Sequence, residues 1–215
     1  MKILITAGAS REPIDSVRFL SNISTGATGA ALADVLASLG HSVTFLHGIG
    51  SALPQHPLPS ETFSSAEDLR GRLLRRLAEE PYNAVIMAAA IADYRAAMPL
   101  EGKFPSNPET LTLSLVRNPK ILAHLKSLSP TPLCVVGFKL TAGADEDDRL
   151  RAVHEQFGTG AVDIVVHNDL DEIRHEPVHP FWVYASRHAK PERRDGTTAL
   201  GETLHRLLTA QPCAS

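Results

Sequence analysis

The chain has 215 residues, 43% of them hydrophobic, enough to fill the core of one domain. Its 21 basic and 24 acidic residues are dispersed and give a formal charge of -3, which excludes the polybasic footprint of a nucleic-acid or anionic-membrane binder but leaves room for a local anion site. No run is apolar for the length of a membrane span, and the apolar N-terminal run is too short for a signal peptide, so a cytoplasmic protein is expected.

Residues 3–6 are a short β-rich run closed by Ala7-Gly8-Ala9-Ser10. After a long loop, the spacing of Ala30, Leu32, Ala33, Val35, Leu36 and Leu39 predicts a helix ending at Gly40. A second strand is expected over 42–46, and the Pro-rich segment 54–59 leads to Thr62-Phe63. Ser65-Ala66-Glu67-Asp68 supplies a cap and an acidic first turn for a helix with Leu69, Leu73, Leu74 and Leu77 on one face. Its Arg70, Arg72, Arg75 and Arg76 read as a solvated face rather than a nucleic-acid stripe. The run 84–90 is apolar on both faces, as a central parallel strand is. Residues 110–116 alternate and predict a strand with one wet face, and Pro119-Lys120-Ile121-Leu122 open a short helix with proline in its first turn. Buried strands over 133–138 and 163–167 bracket a helix over 145–157, followed by an edge strand at 180–184 and a closing helix at 198–210. The alternation predicts an α/β fold in one domain over 1–215: a three-layer, Rossmann-like, doubly wound, mostly parallel sheet with ligands at the carboxyl ends of its strands.

Three polar constellations fall at those ends. The first is the loop from Gly8 to Arg18, far longer than an ordinary connection, whose Arg11, Glu12, Asp15 and Arg18 either serve a site or pair with one another. The second, Ser21-Asn22-Ile23-Ser24-Thr25-Gly26-Ala27-Thr28-Gly29, puts hydroxyls, an amide and glycines at a helix N-terminus, where free N–H groups and the dipole favour phosphate; the competing reading is an ordinary cap. It is neither a GxGxxG fingerprint nor a Walker A loop. The third is Asp93, Arg95 and Lys103, where Asp93 accepts from a ligand or ties its own loop, and Lys103 lies in a loop with little apolar anchorage that can fold over a ligand as a flap. Of ten histidines, His167 beside Asn168-Asp169 is expected nearest the site; His175 and His179 are a weak metal signal. Cys134 and Cys213 make no metal pair and read as reduced thiols. There is no GxSxG nucleophile elbow.

The segments Thr6-Ala7-Gly8-Ala9-Ser10-Arg11-Glu12-Pro13-Ile14-Asp15-Ser16-Val17-Arg18-Phe19-Leu20-Ser21-Asn22, Ala88-Ala89-Ala90-Ile91-Ala92-Asp93-Tyr94-Arg95, Gly102-Lys103, Leu111-Thr112-Leu113 and Asn118-Pro119-Lys120-Ile121-Leu122 follow one another in an order that resembles the phosphopantothenate-cysteine ligase family of coenzyme A biosynthesis. The likeness continues through Val136-Gly137-Phe138 and Asp163-Ile164-Val165-Val166-His167-Asn168-Asp169 and spans nearly the whole chain. It implies a ligase that joins 4'-phosphopantothenate and L-cysteine through an acyl-nucleotidyl intermediate, using CTP or ATP with Mg²⁺ and no flavin. The resemblance assigns Asn22 and Lys103 to catalysis and Gly8, Ala88, Ala89, Ala90, Asp93, Pro119, Lys120, Ile121, Leu122 and Phe138 to the nucleotide. Arg18, Ser24, Thr25 and Gly26 fall to the substrate phosphate or acyl intermediate, no protein ligand to the metal is implied, and a homodimer is expected. In many bacteria the family domain is fused behind a flavin-dependent decarboxylase; a stand-alone synthetase domain is expected here.

Departures from the family pattern are local. Bacterial relatives usually read Ser-Asn-x-Ser-Ser-Gly-Lys-Met-Gly where this chain has Thr25, Ala27 and Thr28, and they carry further flap lysines where Phe104, Pro105 and Ser106 follow Lys103. Gly137-Phe138-Lys139-Leu140-Thr141-Ala142 is closer to the eukaryotic-type Phe-Lys-Leu-Glu-Thr, and the next helix carries Arg149, Arg151 and His154 in place of triphosphate-binding lysines. These mixed features leave CTP and ATP both open. The alternatives are a paralogue that binds nucleotide or phosphopantothenate without ligating it, and an NAD(P)-dependent short-chain oxidoreductase, which lacks its Tyr-x-x-x-Lys pair here.

Overall fold

A computed structural model describes all residues except 106, 108, 159 and 211–215. β1 (Lys2–Ala7), α1 (Ala27–Ser38), β4 (Ser42–Gly48), β5 (Ser60–Phe63), α2 (Ala66–Glu79) and β6 (Ala84–Met87) form the first half, with a small antiparallel hairpin, β2 (Arg11–Pro13) and β3 (Phe19–Ser21), set into the long first loop. β7 (Tyr94–Ala96) pairs antiparallel with β8 (Leu115–Arg117), and a 3-10 turn (Ile121–His124) runs into α3 (Leu125–Leu128). β9 (Cys134–Thr141), α4 (Glu146–Gly158), β10 (Ile164–Asp169), α5 (Leu170–His175), β11 (Pro180–Tyr184), β12 (Glu192–Asp195) and α6 (Thr197–Ala210) complete the chain.

Eight strands make the central sheet in the order β12-β11-β10-β9-β6-β1-β4-β5. The six from β5 to β10 are parallel, and β11 and β12 add an antiparallel margin. From β1 the chain winds outward to β4 and β5, then returns to the other side of β1 with β6. That reversal is the topological switch point at which ligands of doubly wound sheets bind.

The alternation of the strands divides the core between two helical layers. Ile3, Ile5, Ile86, Val136 and Val166 face α1 and α6, while Leu4, Val85, Val135 and Val165 face α2, α3 and α4. α2 is capped as its sequence implies, the Ser65 hydroxyl accepting from the Asp68 N–H at 3.2 Å, and its arginines run along the surface, Arg72, Arg75 and Arg76 converging on Glu61.

Several sequence expectations are corrected. Leu74 lies off the apolar face of α2 and is 44% exposed. Of the alternating run 110–116 only residues 115 and 116 enter a strand, which runs on to Arg117, and Leu111 stays exposed. Pro180–Tyr184 is interior rather than an edge, since β12, whose charged sequence carries no strand signal, pairs along its far side. Pro119 precedes the 3-10 turn instead of sitting in its first turn, Lys120 being the cap residue. Cys134 is buried within β9, and Cys213, with Ser106 of the flap, lies outside the described residues.

Close packing of α1 on β1 depends on Gly29, where a Cβ would stand 2.5 Å from the Ala7 Cβ. Gly29→Ala is expected to lower stability by about 1–3 kcal/mol through overpacking, read as a reduced urea midpoint with an unchanged m-value.

Candidate functional site

The strand end after β6 is held to the exit of β1 by backbone. Ala88 N–H donates to the Thr6 carbonyl (3.1 Å), Ala90 N–H to the Gly8 carbonyl (2.7 Å) and Ser10 N–H to the Ala90 carbonyl (3.2 Å), while the buried Ser10 hydroxyl accepts from Ala92 N–H (3.1 Å). Hydrogen-bonded strand therefore stops at Met87, short of the expected Ala90, and the small side chains that follow leave room above the sheet. Asn118 ties the next segment to this one, its N–H donating to the Asp93 carbonyl (2.8 Å) and its side-chain amide to the Ala92 carbonyl (2.8 Å).

Above these segments opens a cavity of about 740 Å³. One wall is Ala89, Ala90, Ile91, Ala92 and Asp93 with Asn118, Pro119, Lys120, Ile121 and Leu122; Phe138, Lys139 and Leu140 of β9 and Glu155 and Gln156 of α4 form another; Asn22 and Ile23 approach from the first loop, and Leu170 and Arg174 from α5. Asn22, Ala89, Ala90, Asp93, Pro119, Lys120, Ile121, Leu122 and Phe138 thus come together as the sequence expected. Gly137 matters to this wall, because the Gln156 amide reaches across its missing side chain toward the Phe138 carbonyl, to which it donates at 3.3 Å.

Gly8, Ala88, Arg18, Ser24, Thr25, Gly26 and Lys103 do not line the cavity. Gly8 is buried behind it with φ of 78°, packed against Ser51 and Gly26. Gly26, φ 76°, is the N-cap of α1 with no side-chain cap, and Thr25 gives Ala27 N–H a 3.3 Å contact, so the helix N-terminus opens beside Asn22 without an acidic residue in its first turn. The carboxylates of the first loop are structural. Glu12, 2% exposed, accepts from Ala66 N–H at the start of α2 (2.9 Å).

Asp15 joins this loop to the flap. Its carboxylate accepts from Val17 N–H, Arg18 N–H, the Arg18 guanidinium and Phe104 N–H, and around it Ser16 N–H donates to the Gly102 carbonyl (2.8 Å) and Leu100 N–H to the Ile14 carbonyl (3.0 Å). Burial opposes its ionisation, but the N–H donors and Arg18 outweigh that and hold the carboxyl below its usual range. Lys103 is exposed in the middle of this polar latch, so the expected lack of apolar anchorage is compensated by backbone hydrogen bonds, and Arg18 is occupied by Asp15.

His167 adjoins a cavity residue but does not line the cavity. It is fully buried next to Lys139 across the β9–β10 ladder. Thr141 donates its hydroxyl to Asp169 (2.6 Å), so the His167 Nε2–H donates to Thr141 (2.8 Å), leaving Nδ1 without a partner among the described residues. Burial, reinforced by the nearby Arg149 charge, pushes His167 down to about 4. Asp169 also accepts from Gly143, Ala144 and Asp171 N–H groups, which outweigh its burial and keep it ionised far below the usual range. Among the described residues no group of three His, Cys, Asp or Glu side chains is placed to hold a metal, and no helix is long and apolar enough to cross a membrane. Arg174 and Glu155 were missed by sequence reading; α5 is too short to leave a periodic signal.

Residues 1–178 match the family model described as the DNA/pantothenate metabolism flavoprotein C-terminal domain. The chain belongs to this family. It is 32% identical over 169 residues to the coenzyme A biosynthesis bifunctional protein CoaBC of Thermococcus kodakarensis, covering 79% of this chain and 41% of that protein. It is 31% identical over 209 residues to CoaBC of Escherichia coli, covering 91% and 49%. The chain thus spans less than half the length of these relatives. The crystal structure of the DNA/pantothenate metabolism flavoprotein from Streptococcus pneumoniae superposes with a TM-score of 0.87 at 25% identity, covering 98% of this chain and 99% of that one. A Cab2 variant in complex with phosphopantothenate-cysteine shares the fold, with a TM-score of 0.78 at 19% identity and coverage of 98% and 86%.

Because His167 is neutral when folded and titrates near 6.5 when unfolded, its contribution is complete above about pH 6.5 and is lost as pH falls toward about 4. Over that window His167→Asn is expected to remove about 3 kcal/mol of the wild-type pH dependence, measured by chemical denaturation at stepped pH.

Proposed function

We propose that this chain is a phosphopantothenate-cysteine ligase domain that activates 4'-phosphopantothenate with CTP or ATP and couples it to L-cysteine. The observation that carries the reading is the cavity at the switch point, which gathers Asn22, Asp93, Phe138 and the 118–122 segment around one volume in a chain of this family. Its supports are the names of its relatives and the ligand of the Cab2 neighbour.

A carboxylate is a poor electrophile, so the acid must first be activated. Its oxygen attacks the α-phosphorus of the triphosphate, pyrophosphate leaves, and an acyl nucleotidylate forms. The cysteine amine then attacks the acyl carbon, the nucleoside monophosphate leaves, and the amine proton passes to solvent. In this reading the alanine-lined wall, the 119–122 segment and Phe138 receive the base, and Asp93 accepts from the ribose hydroxyls. Asn22 donates to the acyl intermediate, while the N-terminus of α1 at Ser24, Thr25 and Gly26 receives the substrate phosphate. Gly8 and Ala88 shape the strand ends from behind, and Arg18 braces the turn through Asp15. Lys103, carried on the latched flap, supplies positive charge to the transition state when the flap moves over the cavity.

Mg²⁺ fits this site as a companion of the triphosphate rather than as a resident ion. The cavity carboxylates, Asp93 and Glu155, are few enough that phosphate oxygens and water would complete its shell. It would supply charge neutralisation on the triphosphate. A reaction consuming a nucleoside triphosphate suits a cytoplasmic location. A homodimer is supported by the exposed Val17, Phe19, Ile23, Met98 and Leu100 around the first hairpin and the flap base, an apolar grouping unusual on a monomer.

Purified protein with 4'-phosphopantothenate, cysteine, Mg²⁺ and CTP or ATP should release pyrophosphate. Nucleotide binding without turnover would point instead to a non-catalytic binding protein, and NADPH oxidation with a carbonyl substrate to an oxidoreductase. Lys103→Gln is expected to lower product formation by about 100-fold or more with the thermal midpoint unchanged; undiminished activity removes the lysine from the mechanism. Light scattering should give twice the monomer mass, and Phe19→Glu with Ile23→Glu should reduce it.

A further inference from the structure

The charged lining of the cavity is asymmetric. Asp93 and Lys120 belong to the wall built by the segments after β6 and β8, whose backbones are joined through Asn118. Facing it are Lys139 near the end of β9, Glu155 on α4 and Arg174 on α5. Neighbouring cations are already neutralised: Lys126 by Asp163 at 2.7 Å, Arg149 by Glu172 at 2.6 Å, Arg151 by Asp148 at 2.6 Å. Lys139 is half-buried and makes no ion pair among the described residues. Arg174 has a 3.7 Å approach to Asp171 with its side chain 64% exposed, a pairing that holds it weakly.

Both cations are aimed by one device. Asp169 accepts from the Thr141 hydroxyl and from the Gly143 and Ala144 N–H groups, which fixes the chain two residues beyond Lys139. The same carboxylate caps α5 through the Asp171 N–H, three residues before Arg174. One unpaired and one weakly paired positive charge on separate elements, locked to a common anchor and opening on one cavity, are a site for a polyanion.

We propose that Lys139 and Arg174 form the polyphosphate clamp of the nucleotide site. The assignment rests on the nucleotide reading above and gives it a direction: Asp93 repels phosphate and accepts from hydroxyls, so the sugar lies at the Asp93 wall and the phosphates run toward β9 and α5. Glu155 shares the cationic wall, but its side chain is exposed to water, which screens its charge. Lysine suits this place because a point charge on a flexible stem follows phosphate through the change from triphosphate to leaving pyrophosphate.

The test is calorimetric titration of the full chain with Mg-ATP, Mg-CTP and the matching free nucleosides. Lys139→Ala should weaken triphosphate binding by about tenfold or more and flatten its salt dependence, while nucleoside binding stays within about twofold. Arg174→Ala should act in the same sense but less strongly, and Lys139→Arg should restore most of the affinity. Lys139→Ala binding triphosphate as the wild type does overturns the clamp, as does an equal loss of nucleoside and triphosphate, which would make the lysine a support of the pocket. Wild-type protein that binds neither triphosphate overturns the nucleotide reading itself, and the clamp with it.

Discussion

Everything at the candidate site depends on the backbone lacing between the exits of β1 and β6. Where the sheet reverses its winding direction, the chain leaves β1 toward β4 and leaves β6 toward β9 on the other side, so the segments that follow the two strands would separate. Hydrogen bonds between 88–92 and Thr6, Gly8 and Ser10 prevent this, extending the strand ends as a rigid ledge. The ledge works only with small residues. Three alanines in succession keep the floor low, and Gly8 and Gly26, each at positive φ, let the start of α1 approach the β1 exit more closely than any side chain would allow. The cavity is thus a consequence of sheet topology made permanent by main-chain hydrogen bonds.

Carboxylates around the cavity divide into two kinds. Glu12, Asp15 and Asp169 are buried, and each accepts backbone N–H groups from a loop or a helix start that would otherwise have none. Asp15 and Asp169 stay ionised because several donors converge on each, which offsets the cost of burial. Asp93 and Glu155 are exposed on the cavity walls and are available to a ligand. The division explains why a loop so dense in charge is a scaffold: its acids set the positions of the flap and of α2, and the residues that reach the cavity from that loop are the uncharged Asn22 and Ile23.

How much of this is legible in the sequence follows from range. β1, β4, β6, β9 and β10, and the helices α1, α2, α4 and α6, are strong local signals, because buried parallel strands and amphipathic helices write their periodicity into short windows. β2, β3, β12 and α5 are not legible, being three to six residues long and dependent on partners distant in sequence. The site follows the same rule. Asn22, Asp93 and the 119–122 segment stand out because each sits at the end of a readable element, whereas Arg174 and Glu155 reach the cavity only through the placement of α5 and the turn of α4.

Lys139 marks the boundary between the two cases. It is visible as a lone charge at the end of an otherwise buried strand, yet the same pattern describes a lysine that simply emerges into solvent. Strand alternation puts Phe138 on the α1 and α6 side and Lys139 on the α4 side, so two adjacent residues can serve one cavity only if that cavity lies beyond the strand ends rather than over one face. The Asp169 clamp satisfies this condition by turning the chain at Thr141 and starting α5 beside it. A charge that would be unremarkable on a longer strand is thereby held at the rim of a ligand volume, and its chemistry follows from where β9 stops.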